Sequence, residues 1–231
     1  MDRTFTGESP DEACIFDALR AGDESVLALA RTRRKDVTAF AKALTGCARA
    51  QKRSLILSAA LMPEGAYDDT AFADLHYGQS YEDAAQLYDY ALPMAYSKAY
   101  GKDDLWVRSV AEGTVKKGLR TVMGLHAYEG GTGPSLRGDI LSLENCAVSG
   151  ICLFREGAFA MAFAEGRTLS VVNTLDTPIT TILAGPGESA LPLDSALMPG
   201  QEQRFTLPAA SDLVRAFTGN TEVCVYLASG A

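Results

Sequence analysis

Leu87-Tyr88-Asp89-Tyr90-Ala91-Leu92-Pro93-Met94-Ala95-Tyr96 is the stretch on which the reading of the chain turns. It is short, nearly continuous in apolar and aromatic residues, and has no helical period, which suits a strand buried on both faces. Its proline fits a strand only at an end or a bulge. Upstream, Ser54-Leu55-Ile56-Leu57-Ser58-Ala59-Ala60-Leu61-Met62 is a similar run stopped by Pro63. Downstream, Thr121-Val122-Met123-Gly124-Leu125-His126-Ala127-Tyr128 and Ser149-Gly150-Ile151-Cys152-Leu153-Phe154 repeat the pattern. A helix opens at Asp103 or Asp104, carries Val107, Val110, Ala111 and Val115 on one side, and ends near Lys116-Lys117-Gly118. A short helix around 138–147 follows the loop Gly130-Gly131-Thr132-Gly133-Pro134. Strand and helix alternating at roughly 30 residues predict parallel βα units.

Farther upstream, residues 1–53 read as helical after a polar lead-in. Between 36 and 50, Val37, Phe40, Ala41, Leu44, Cys47 and Ala48 form the stripe expected of a core-facing helix. Arg49, Lys52 and Arg53 suit its carboxyl end. After Gly166 the character changes. Short strands are expected at 168–173, 179–183, 203–207 and 223–227, divided by turn signals such as Asp176-Thr177-Pro178, Pro199-Gly200 and Gly219-Asn220. A helical period survives only at 212–217. The expected domains are residues 1–166, built of βα units, and 167–231, a small β-sandwich-like module.

The 231 residues are 47% hydrophobic and 22% charged, the composition of a chain able to bury a core. A net charge of −8 makes nucleic acid an unexpected partner. The basic run Arg31-Thr32-Arg33-Arg34-Lys35 reads as a solvated helix face. Cys14, Cys47, Cys146, Cys152 and Cys224 form no C-x-x-C pair, and the last four are expected to act as small hydrophobes. With two histidines, no metal or cofactor is expected. No leader peptide or membrane span is legible, so a cytoplasmic protein is expected as written, or an extracellular or periplasmic one if the N-terminus is truncated.

The four runs, taken together, resemble the fifth to eighth strands of glycoside-hydrolase-like TIM barrels. Leu87-Tyr88-Asp89-Tyr90-Ala91-Leu92-Pro93-Met94-Ala95-Tyr96 is similar to a strand in the later half of such barrels. Ser58-Ala59-Ala60-Leu61-Met62-Pro63 is similar to the one before it, and Tyr77-Gly78-Gln79-Ser80-Tyr81 to the phrase between them. The 122–129 and 150–155 segments resemble the last two strands. The G-x-G-x-x-G turn of a doubly wound sheet is absent. The fold expectation is therefore α/β: the C-terminal half of a (β/α)8 TIM barrel followed by a small β-sandwich-like domain. Residues 1–34 are too short and too helical to supply four more strands. Three readings stay open: a fragment, which is favoured, a homodimer completing one barrel, or a separate N-terminal half.

The resemblance implies a carbohydrate-active enzyme with its site at the carboxyl ends of the strands. That rule selects Glu64, Tyr96, Ser97, His126, Tyr128, Glu129, Arg155 and Glu156. Glu129 would be the catalytic nucleophile of a two-carboxylate mechanism, or else an exposed residue opening a Gly-Gly loop. Glu64, Tyr96, His126, Tyr128 and Arg155 are the substrate-binding candidates, with Tyr96 offering a flat face and a hydroxyl. His126 also reads as a core histidine, and Arg155 as a rim salt bridge. Asp89 and Tyr90 read as structural, Trp106 as packed outside the barrel, and Arg137-Gly138-Asp139 as a chance tripeptide. A glycoside hydrolase is the first expectation and a non-catalytic carbohydrate-binding protein the second. A phosphate-ligand protein using the Gly130 loop is the third.

Overall fold

A computed structural model describes residues 12–67, 70–127, 133–154, 160–185, 187–207 and 213–228. Two compact units divide the chain: Met1–Pro93 with Glu112–Thr121, and Met94–Ala111 with Val122–Ala231.

The first unit opens with helices α1 (Glu12–Arg20) and α2 (Glu24–Gln51). Asp23 starts α2 because its carboxylate accepts the Ser25 and Val26 N–H groups, which have no partner inside the helix. Strand β1 (Ser58–Leu61), a 3-10 turn at Pro63–Ala66, α3 (Ala71–His76), α4 (Tyr81–Leu87) and β2 (Tyr90–Pro93) follow. β1 and β2 pair in parallel from Ser58 opposite Tyr90 to Leu61 opposite Pro93, so the proline sits at the strand end, where its missing N–H costs least. Ala91 bridges Thr121, also in parallel.

Polar ties hold much of this unit. The Asp89 carboxylate accepts the Leu57 N–H at 2.7 Å and an Arg49 N–H at 3.1 Å, which accounts for an acidic residue beside β2 and agrees with the structural role expected of it. Arg34 grips Asp83 with two hydrogen bonds of 2.8 and 3.1 Å, and Thr38 donates a third. Tyr81 is fully buried, and its hydroxyl donates to the Met62 carbonyl. Gly113 lies where a Cβ would strike the Ala66 carbonyl, so no larger residue fits without movement.

The expected core-facing stripe of α2 behaves otherwise. Phe40 is 67% exposed, Leu44 54% and Val37 40%, and Cys47 is exposed too. The buried positions of this helix are Ala30 and Thr45, with Arg34 and Thr38 turned towards α4. The periodicity located an apolar face correctly, but the side packed within the chain is the small and polar flank next to it. Cys152 is likewise exposed and Cys146 half-buried, while the Cys224 side chain lies outside the described residues.

In the second unit, Met94 bridges Gly124 in parallel, and the Ala95 N–H donates to the Gly124 carbonyl at 2.9 Å. Helix α5 (Asp104–Lys116) carries residues of both units. Strand β3 (Val122–His126), α6 (Gly133–Ser142) and β4 (Gly150–Phe154) form a parallel βα unit, with His126 opposite Phe154 at its end. Helix α6 starts earlier than its sequence signals suggest, with Pro134 in its first turn, where the missing N–H is harmless.

Eight further strands follow: β5 (Ala160–Glu165), β6 (Thr168–Val172), β7 (Thr181–Ala184), β8 (Ser189–Ala190), β9 (Glu202–Thr206), β10 (Val214–Thr218), β11 (Thr221–Glu222) and β12 (Cys224–Ala228). They make two four-stranded sheets, ordered β12-β5-β6-β9 and β11-β10-β7-β8. Ala162, Leu169 and Val171 from the first sheet and Ile182 and Ala216 from the second are fully buried in one core. Asn173 is buried with them, its amide donating to the Thr177 and Leu197 carbonyls and its carbonyl accepting the Leu175 N–H. The hairpin β5–β6 turns at Gly166, whose φ of +58° suits glycine, so the expected boundary at residue 166 falls inside a hairpin. The segment read as helical at 212–217 is instead largely strand β10, because Val214 and Ala216 alternate into the core.

Candidate functional site

The strand ends of the second unit bring three rings together. Tyr96 follows the bridged residue Met94, and its N–H folds back on the Met94 carbonyl at 3.0 Å. That tight turn leaves its ring beside the carboxyl ends of β3 and β4. The Tyr96 ring lies 5.8 Å from Phe154 at an interplanar angle of 15°, and 5.8 Å from His126 at 37°. His126 is buried, as its place in an apolar strand suggested, while Phe154 is 46% exposed. The cluster therefore has a buried floor and an open aromatic edge. Aromatic faces of this kind pack against the C–H face of a flat, polar-rimmed ligand.

Behind the rings lies a pair of polar residues. Ser97, one position after Tyr96, donates its hydroxyl to an Asp139 carboxylate oxygen at 2.6 Å, and both residues are 3% exposed. Burial pushes the Asp139 carboxyl above the usual aspartate range; the Ser97 hydrogen bond opposes this and the nearby Asp104 adds to it. The bond ties the turn after Tyr96 to α6, so Asp139 fixes the loop that carries the aromatic face. Nearby in sequence, Trp106 of α5 stacks on Tyr100 at 5.1 Å.

Of the residues singled out in the sequence, Tyr96 and His126 are brought into contact. Glu64 belongs to the first unit, half-buried in the 3-10 turn, where its carboxylate accepts the Tyr77 hydroxyl at 3.3 Å. Tyr128, Glu129, Arg155 and Glu156 lie outside the described residues. Sequence reasoning missed two members: Phe154, taken only as strand, and Asp139, set aside within a tripeptide. A signal for Asp139 was present. Leu136 and Asp139 fall on one side of α6 and are both buried, as is Leu143 just past its end, so an acid stands where the helix needs an apolar residue. Among the described residues no group of three or more His, Cys, Asp or Glu side chains is placed to hold a metal ion.

No family model matches the chain, and no curated protein does. One solved structure, the PgaB (BpsB) glycoside hydrolase domain from Bordetella bronchiseptica, is similar over 65% of this chain and 44% of that one, with 18% identity and a TM-score of 0.49. The chain thus spans less than half the length of that neighbour. A likeness of this size fixes neither fold nor activity.

Proposed function

We propose that this chain is a carbohydrate-binding α/β protein built as half of a glycoside-hydrolase-like barrel with a β-sandwich-like appendage. The observation that carries the reading is the near-parallel pair Tyr96 and Phe154 at the strand ends, backed by buried His126. A pyranose ring offers an apolar C–H face and a rim of hydroxyls, which matches an open aromatic edge bearing a phenol. The parallel βα order of β1 with β2 and of β3 with β4 supports the half-barrel.

Glycosidic cleavage is the second reading. It needs two carboxyl groups across the scissile oxygen. The resemblance assigns Glu129 as nucleophile, and one observation favours a proton-holding partner: the Asp139 carboxyl is pushed up by burial. Asp139 is nevertheless buried against Ser97, so binding is the reading the geometry supports best.

Titration calorimetry of the chain against a panel of oligosaccharides tests this, alongside a reducing-end assay. The expected result is binding by at least one sugar, weakened about tenfold by Tyr96→Ala, the order of one aromatic contact. Absence of binding across the panel would end the carbohydrate reading. Reducing ends released by the wild type and lost in Glu129→Gln would replace binding with hydrolysis.

A further inference from the structure

The exposed face of α2 has a pattern that binding a sugar does not use. Leu29, Val37, Phe40 and Leu44 are 48, 40, 67 and 54% exposed, respectively. At 100° per residue, they share one arc of the helix with half-buried Val26 and with Arg33 and Asp36. The two charged residues interrupt an otherwise apolar stripe. Among the described residues neither forms an ion pair, although their neighbours do: Arg31 pairs with Glu24, and Arg34 with Asp83.

We propose that this stripe is the contact face of a two-fold dimer, in which α2 packs antiparallel against α2 of a second copy. The argument is charge and shape register. When the helix is reversed about a point between Arg34 and Lys35, Arg33 falls opposite the partner's Asp36, and Asp36 opposite the partner's Arg33. The same operation sets Leu29 against the partner's Phe40, and Val26 against the partner's Ala43, one position from Leu44. One rotation therefore pairs both isolated charges and covers the most exposed apolar side chains. A closed two-fold contact requires this self-complementarity, in which residue i meets j and j meets i. A 28-residue helix is about 42 Å long, enough for such a contact to run over several turns. The net charge of −8 repels two copies at long range, but the stripe itself is balanced by one positive and one negative residue.

Sedimentation equilibrium of the full chain over roughly 1–100 μM tests the proposal, a range that reveals dissociation constants near micromolar. The expected result is a reversible dimer. Phe40→Asp should yield monomer with unchanged circular dichroism, since the side chain packs on little within its own subunit. Arg33→Glu should weaken the dimer roughly tenfold or more, because it opposes like charges at two symmetric places. Combining Arg33→Glu with Asp36→Arg should restore it, since reversal of both charges recreates both pairs. A wild-type chain that stays monomeric throughout overturns the proposal. So does a dimer that survives Phe40→Asp, or a double reversal that dimerises no better than Arg33→Glu.

Discussion

The α2 helix and the paired β-sheets solve the same problem in opposite ways. In the sheets of the second unit, alternation places Leu169, Val171, Ile182 and Ala216 in a shared core with no exposure. On α2 the strongest apolar positions face out, and the helix is held by small residues and by charged groups such as Arg34 on Asp83. The contrast teaches that an amphipathic period reports an apolar face without saying whose face covers it. A strand pair leaves little choice, because its partner sheet comes from the same stretch of chain. A long helix with one flank already occupied keeps a second flank to spare.

The largest effect that would sharpen this contrast is a truncation in the sheet core. Ile182→Ala should lower unfolding free energy by about 2–5 kcal/mol in urea titration, since it removes apolar volume with no route for collapse. Asn173→Ala should follow at about 2 kcal/mol, because it leaves the buried Leu175 N–H without its acceptor and takes a donor from the Thr177 and Leu197 carbonyls. A loss under half of that for either variant would mean the sheets are less closely packed than their burial implies.

Acid should act through Asp83 and Asp139 with opposite sign. The hydrogen bonds from Arg34 hold the Asp83 carboxyl below the ordinary range. Its contribution is whole above the unfolded aspartate pKa, about 3.9, and is lost as pH falls through the lower folded value. The Asp139 carboxyl is pushed up, chiefly by burial, so its contribution is whole below that unfolded value and is lost as pH rises through the raised folded one. Melting curves of Asp83→Asn and Asp139→Asn between acid and neutral pH should therefore diverge. Relative to wild type, the first variant should lose stability as pH rises, and the second should gain it. Parallel curves would break the distinction. The smallest effect belongs to the first unit: Ile56→Ser, at a position 73% exposed, should change unfolding free energy by less than about 0.5 kcal/mol.

Much of the fold was readable from local chemistry. The runs around Leu57, Tyr90, Val122 and Ile151 became strands because their apolar content is continuous and their breakers, Pro63 and Pro93, stand at the ends. The helix from Asp104 to Lys116 followed from its stripe and its closing Gly118, whose φ is +80°. Strand β5 escaped notice because Ala160-Met161-Ala162-Phe163-Ala164 has weak strand propensity, and only pairing with β6 and β12 makes it extended. In the candidate site, Tyr96 and His126 could be found by their position at strand ends. Phe154 stands at a strand end too but reads only as strand, and the Ser97–Asp139 bond is hidden because it depends on where α6 lies, which no spacing encodes.

Strand β12 pairs in parallel with β5, setting Cys224 against Ala160, so the sheet's inner neighbour waits for a segment made far later in the sequence. During synthesis, β5 and β6 leave the ribosome as a hairpin with one flank uncovered until β12 emerges. Nascent chains stalled before residue 224 carry that bare flank, the surface a trigger-type chaperone or a neighbouring nascent chain would meet first.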